Sequence, residues 1–188
     1  MTAPIVRCLV MLLSGHDGPT PAYATTNFVD RNGDRVAPRK PPKHIRTLAL
    51  AILVHRDHVL CARGYDEVKE QTFYRPLGGG VDFGERASEA VARELREEIG
   101  REVTPGELLA VTENIFTFNG GAGHEVCFEY LAAFAPGSEP GDLAPIVCDE
   151  HGRSFTAEWL PLAEVLGGMH VVYPEGLQER LAGWVSRL

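Results

Sequence analysis

Apolar residues come in blocks along this chain, and the blocks change period. Ile45 to Val54 is almost wholly apolar and predicts a buried strand. Residues 55–58 supply a turn, and Val59 to Ala62 return as a second strand. Tyr65 to Gln71 reads as a polar loop, and Phe73 to Gly78 leads into a glycine-rich stretch. From Ala87 the period becomes helical: Ala87, Val91 with Ala90, Leu95 and Ile99 share one apolar face, and Gly100 supplies a stop. Leu108 to Phe118, interrupted at Glu113-Asn114, and Glu125 to Phe134 read as strands around a flexible turn at Asn119 to Gly123. Pro136 to Asp149 is rich in Pro, Gly and acid and reads as a loop. Phe155 to Leu160 is a last strand, and Pro161 opens a short helix over Leu162 to Leu166. Pro174 opens a terminal helix with Leu177, Leu181, Trp184 and Leu188 at helical spacing. Strand pairs alternating with helices predict an α/β fold with a mixed sheet between helical layers.

Residues 1–43 follow a different pattern. Leu9 to Leu13 suits a short strand, and Phe28 to Val36 suits a hairpin around Asn32-Gly33. Asp30, Asn32 and Asp34 have calcium-loop spacing, but Arg35 occupies the place of the required glycine, so a turn is the better reading. Pro38 to Lys43 reads as an extended linker. Nothing in this segment resembles a site. Removing residues 1–40 is therefore expected to leave chemistry intact, which turnover and solubility of the truncated protein would check. Loss of both would mean that Leu9 to Leu13 completes the core.

The 188 residues suffice for one domain with a substantial core, and the apolar fraction of 44% is ordinary for a globular protein. A formal net charge of −8, with no basic run interleaved with aromatics, argues against broad nucleic-acid binding. No apolar run reaches the length of a membrane span. Arg7, the apolar Cys8 to Leu13 and Ala22-Tyr23-Ala24 faintly resemble a signal peptide, but the apolar core is short and His16 and Asp17 follow it. Cys8, Cys61, Cys127 and Cys148 form no C-x-x-C pair, and Cys61 and Cys127 sit in apolar runs as free buried thiols would. The expectation is a reducing, cytoplasmic compartment.

The candidate chemistry lies in the helix after the glycines. Glu94, Glu97 and Glu98 are spaced i, i+3, i+4 and share a face. Like charges at i,i+4 oppose helix formation by roughly 0.2–0.5 kcal/mol per pair. In the last turn they also face the negative end of the helix dipole, at about 0.3–1 kcal/mol per charge. A bound divalent cation reverses both signs, and oxygen-only ligands suit Mg²⁺ or Mn²⁺. The alternative is a solvated helix laced with salt bridges, Glu89 to Arg93 and Arg93 to Glu97.

The wider spacing separates these readings. Gly79, Glu85, Arg93, Glu94, Leu95, Glu97, Glu98 and Gly100 fall at the positions of the Nudix box, and the stretch resembles it closely. Seven positions demand one residue type; at a usage of about 7% each, chance agreement is on the order of 10⁻⁸ per starting point. Arg101 stands where an aliphatic is usual, and Pro76-Leu77-Gly78 where many relatives have Pro-Gly. The resemblance implies a Nudix-like α/β/α sandwich with a mixed β-sheet over residues 44–188, preceded by residues 1–43 as an extension and Pro-rich linker. It implies a Nudix-type diphosphohydrolase cleaving a nucleoside diphosphate derivative, such as a nucleoside diphosphate sugar. Mg²⁺ or Mn²⁺ would be held by Glu94, Glu97, Glu98 and a loop glycine carbonyl, Gly78 or Gly79. Arg93 would orient the acids, and Glu85 would brace the loop–helix junction.

Outside the box, Glu125 is the first candidate for an extra acid, as metal ligand or general base, and Glu129 the second; the alternative for each is an ordinary strand residue. His124 reads as a surface or hydrogen-bonded histidine. Arg63 and Arg75 could clamp substrate phosphates, or be plain surface arginines. Phe73, Tyr74, Phe116, Phe118 and Tyr173 could stack on a base or pack the core. The expected partner is a small nucleotide, with no stable nucleic-acid or membrane partner and a homodimer as an open assembly. A nucleotide-sensing Nudix module without catalysis is the rival from another class, yet no box acid is lost. Isoprenoid diphosphate isomerisation would need a Cys–acid pair that Cys61 and Cys127 do not suggest.

Overall fold

The computed structural model describes residues 44–150 and 153–188. The expected strand at Leu9 to Leu13, the hairpin at Asn32-Gly33 and the linker at Pro38 to Lys43 lie outside the described residues. Seven strands form a mixed sheet: β1 (Arg46–His55), β2 (His58–Asp66), β3 (Gln71–Gly80), β4 (Val103–Phe118), β5 (Gly121–Phe134), β6 (Ile146–Glu150) and β7 (Arg153–Pro161). Their spatial order is β4-β5-β1-β3-β2-β7-β6, with a further β1–β2 pairing. The helices are α1 (Ala87–Ile99), α2 (Leu162–Leu166) and α3 (Leu177–Val185). β1 runs parallel to β5 and antiparallel to β3, so the sheet is mixed as expected.

Alternation along β1 divides the core. Ala49, Ala51 and Leu53 face α1, where Ala90, Val91 and Leu95 are fully buried. Ile52 faces the other side with Val59, Cys61 and Leu160, against Val165 of α2 and Leu177 and Leu181 of α3. One helix on one face and two on the other make the α/β/α sandwich. Strand β3 changes partner along its length. Gln71 to Pro76 pair with β2, whereas Leu77 to Gly80 pair with β1. The two halves of the sheet therefore part where β3 crosses over.

Several boundaries differ from the sequence reading. β4 starts at Val103 and runs unbroken through Glu113-Asn114, because both residues pair across to β5; its irregularities fall instead between Pro105 and Ala110. The loop expected at Tyr65 to Gln71 shrinks to four residues, since β2 extends to Asp66 and β3 begins at Gln71. Asp66 accepts the backbone N–H groups of Val68 and Lys69 and so closes that turn. The expected loop Pro136 to Asp149 ends in strand β6, where Cys148 is buried against α1. The terminal helix begins at Leu177 rather than near Pro174, because Gly176 at φ 80° is left-handed and cannot lie inside a helix. It ends at Val185, leaving Leu188 exposed.

Cys61, Cys127 and Cys148 are free and buried, as the apolar context of the first two implied. Burial pushes the Cys61 and Cys148 thiols up to about 12. Among the described residues no helix is long and apolar enough to cross a membrane.

Candidate active site

The glycine end of β3 lies under α1. Gly78, Gly79 and Gly80 pair with Leu50, Ala49 and Leu48 of β1. A tight turn follows: Glu85 accepts the Asp82 N–H at 3.1 Å, and Arg86 at the helix start donates its N–H to Glu89 at 2.9 Å. Helix α1 stops at Gly100, whose φ of 65° is left-handed. Because α1 is pinned at both ends, its acids have set directions.

Those directions are not all alike. Glu94 and Glu98 point inward and are buried, whereas the Glu97 side chain is 50% exposed at the rim. Glu98 accepts the Gly78 N–H at 3.1 Å. The Glu94 carboxylate lies over Gly79 so closely that a Cβ there would stand 2.5 Å from its Cδ. Arg93 is the hub. Its Nε and Nη2 each donate to Glu85 at 2.9 Å, Nη2 also to the Gly80 carbonyl at 2.8 Å, and Nη1 to Glu94 at 2.8 Å. Nη1 reaches Glu97 at 3.5 Å. The Glu89–Arg93 pair considered from the sequence does not form, because Glu89 caps the helix and Arg93 turns to Glu85. The Glu85 hydrogen bonds raise the Arg93 pKa, and the Arg93 hydrogen bonds hold the Glu85 carboxyl below its ordinary value.

A pocket of about 660 Å³, its open mouth included, lies where the two halves of the sheet part. Phe73 and Arg75 of β3 line one wall, Asn114, Phe116 and Phe118 of β4 another, and Tyr173 and Pro174 close a third side. Phe73 meets Phe118 and Tyr173 edge-to-face, each at 5.7 Å between centroids. Glu125 lines the pocket and is fully buried. It is ion-paired with Arg46, lies 3.8 Å from Arg75 and accepts Asn114 Nδ2 at 3.3 Å.

The structure thus brings Arg93, Glu94, Glu97, Glu98 and Gly79 to one place, and Arg75 and Glu125 to another, joined by β3. Arg63 joins neither. It sits beside Tyr74, whose hydroxyl donates to Glu158 at 3.4 Å. His124 pairs with Glu113 on the surface at 2.9 Å, the hydrogen-bonded role expected for it. Glu129 meets Arg180. Arg46 and Asn114 had no local signal in the sequence; the partner of each stands on another strand.

A family model, the NUDIX domain, matches residues 43–180. The chain belongs to the Nudix family. The enzyme class expected from the sequence, a Nudix-type diphosphohydrolase, agrees with that membership. The fold is shared with a Nudix hydrolase from Nitrosomonas europaea, 14% identical, at a TM-score of 0.55 over 77% of this chain and 90% of that one. It is shared also with the dihydroneopterin triphosphate pyrophosphohydrolase of E. coli, 17% identical, at a TM-score of 0.53 over 78% and 100% of the two chains. A Nudix-family hydrolase from Clostridium perfringens, 18% identical, gives a TM-score of 0.51 over 75% and 99%.

The Nudix box of this chain fits a hard divalent cation by its chemistry. The carboxylates of Glu85, Glu94 and Glu97 bond the guanidinium of Arg93, and that of Glu98 bonds the Gly78 N–H, so carboxylates outnumber the guanidinium among these residues. The bare Gly79 keeps backbone and carboxylate oxygens close together. Among the described residues no three His, Cys, Asp or Glu side chains converge as a finished metal cluster.

The Arg93 hub carries a stability prediction. Replacing Arg93 with Met leaves Glu94 buried beside Glu85 and Glu98 without its guanidinium, and is expected to cost about 3–5 kcal/mol. Glu85 has a folded pKa below its unfolded one. Its contribution is therefore complete above the ordinary Glu pKa and is lost as pH falls through the depressed value. Denaturant titrations against pH should show wild type losing stability in that acid range and the variant losing less there.

Proposed function

We propose that this Nudix protein hydrolyses the diphosphate linkage of a nucleoside diphosphate derivative, such as a nucleoside diphosphate sugar, with Mg²⁺ or Mn²⁺. The observation that carries the reading is the course of β3. One strand presents Phe73 and Arg75 to an aromatic-walled pocket and, a few residues on, lays Gly78 to Gly80 beneath the acids of α1. A substrate with a flat base at one end and an anionic diphosphate beyond it matches that sequence of surfaces.

Glu94, Glu97, Glu98 and the Gly79 carbonyl would hold the cation. A divalent cation bound there would neutralise the phosphates and lower the pKa of an attacking water. Arg93 keeps Glu94 and Glu85 in place through three of its five hydrogen bonds. Arg75 offers planar donors to a substrate oxygen at the pocket wall. Glu98 or Glu125 would take the proton of the attacking water on its carboxylate. No Ser-His-Asp or Cys-His arrangement was evident in the sequence to favour a covalent route. The free buried thiols support a reducing, cytoplasmic setting.

A panel of nucleoside diphosphate compounds with Mg²⁺ tests the reading. Cleavage should give two phosphorylated fragments and stop on exhaustive chelation. A single turnover in ¹⁸O water should place the label on one phosphate product. Full activity after chelation, or label only on a sugar carbon, contradicts the mechanism. Tight binding across the panel with no turnover would make the protein a sensor.

A further inference from the structure

Glu129 and Arg180 take no part in the chemistry above, yet they form an ion pair whose carboxylate is fully buried and whose guanidinium is part-buried. Glu129 of β5 is fully buried and accepts Arg180 Nε and Nη2, each at 2.8 Å. Thr112 Oγ1 of β4 donates to the same carboxylate at 2.7 Å. Arg180 Nη1 reaches back to the Glu175 carbonyl at 3.1 Å. Gly176 leaves room for this: a Cβ there would stand 2.6 Å from Nη1. One guanidinium thus ties the sheet to the backbone just behind Tyr173 and Pro174, the third side of the pocket.

Holding α3 in place does not require the pair. Leu177 and Leu181 already bury the helix against the sheet. A buried ion pair seldom stabilises more than an apolar pair of equal volume, and in some proteins such pairs serve to fix geometry. Upstream, the segment is pinned to β3, with Tyr74 N–H donating to the Val171 carbonyl at 2.8 Å and Tyr173 N–H to the Tyr74 carbonyl at 2.9 Å. Downstream, Arg180 supplies the tie to the sheet.

We infer that the Glu129–Arg180 clamp is a positioning device that sets the Tyr173–Pro174 wall, and through it how tightly the pocket grips its substrate. The inference rests on the hydrolase reading for its kinetic consequence and on the clamp geometry alone for its structural one. The clamp touches neither the box acids nor Arg93, so it acts on binding and not on the chemical step.

The test uses the full chain and four variants: Arg180→Met, Glu129→Gln, Arg180→Lys and the double variant Glu129→Leu/Arg180→Met. On whichever panel compound wild type cleaves, Arg180→Met and Glu129→Gln should raise KM about tenfold and leave kcat within about twofold. Arg180→Lys keeps the charge pair but loses the fork that reaches both Glu129 and the Glu175 carbonyl, so its KM should lie between. The double variant removes both charges together and should regain the melting temperature that Arg180→Met loses, while its KM stays high. A merely stabilising pair would let KM recover with the melting temperature, and that result, or an unchanged KM in Arg180→Met, overturns the inference. Amide exchange gives a readout independent of activity. Tyr173, Glu175 and Leu177 should exchange faster in the double variant, with the amides of α1 unchanged. If wild type cleaves nothing on the panel, the hydrolase reading fails and exchange decides the clamp; unchanged protection at these amides overturns it.

Discussion

Replacing Glu98 with glutamine is expected to lower turnover by about 10²–10⁴-fold in a protein that still folds. The amide keeps the volume of the acid, and its carbonyl oxygen still accepts the Gly78 N–H. What is lost is the charge, and with it the cation ligand and proton acceptor proposed above. The cation-free protein should be no less stable, because one like-charge neighbour of Glu94 is gone, an effect of roughly 0.2–0.5 kcal/mol. Melting curves with and without Mg²⁺, set beside kcat, check both halves. Near-normal turnover would remove Glu98 from the site.

Gly78→Ala should act on the fold instead. Gly78 has φ 129°, and a Cβ there would overlap the Ala49 carbonyl oxygen and stand 3.0 Å from the Leu50 Cα. The obstacle is backbone of the paired strand and has no rotamer to yield. Overpacking costs about 1–3 kcal/mol, and the strained backbone about 1–3 more. A total of about 2–6 kcal/mol lowers the melting temperature of a chain this size by about 4–24 °C. Gly79→Ala is the comparison. There the Cβ meets only the end of the Glu94 side chain, so activity should fall far more than the urea midpoint. Equal midpoints for Gly78→Ala and wild type would contradict the close pairing of β1 and β3.

The two variants mark what the sequence could reveal. Helix α1 was legible to its last residue, since its apolar spacing and Gly100 are local signals. That Glu94, Glu97 and Glu98 share a face was legible too. That Glu97 stands at the rim while the others turn inward was not, because β3 lies under only one side of the helix. Strand β6 was missed because Ile146 and Cys148 sit in a stretch of Pro and acid, and the pairing with β7 makes them a strand. Nothing in the local sequence marks Arg46 or Arg180. Their carboxylates are 79 and 51 residues away in the chain, beyond any local pattern.

The same distances bear on how the protein is made. Strand β1 emerges from the ribosome early, but its parallel neighbour β5 follows only after β2, β3, α1 and β4. Strand β2 waits longer still: Val59 pairs with Leu160. Until those partners are made, the edge of β1 that takes β5 and the edge of β2 that takes β7 are without them. Such topologies close late and leave aggregation-prone edges open during synthesis. Yield in a cell should therefore respond to translation speed and chaperone supply more than the stability of the finished protein would suggest.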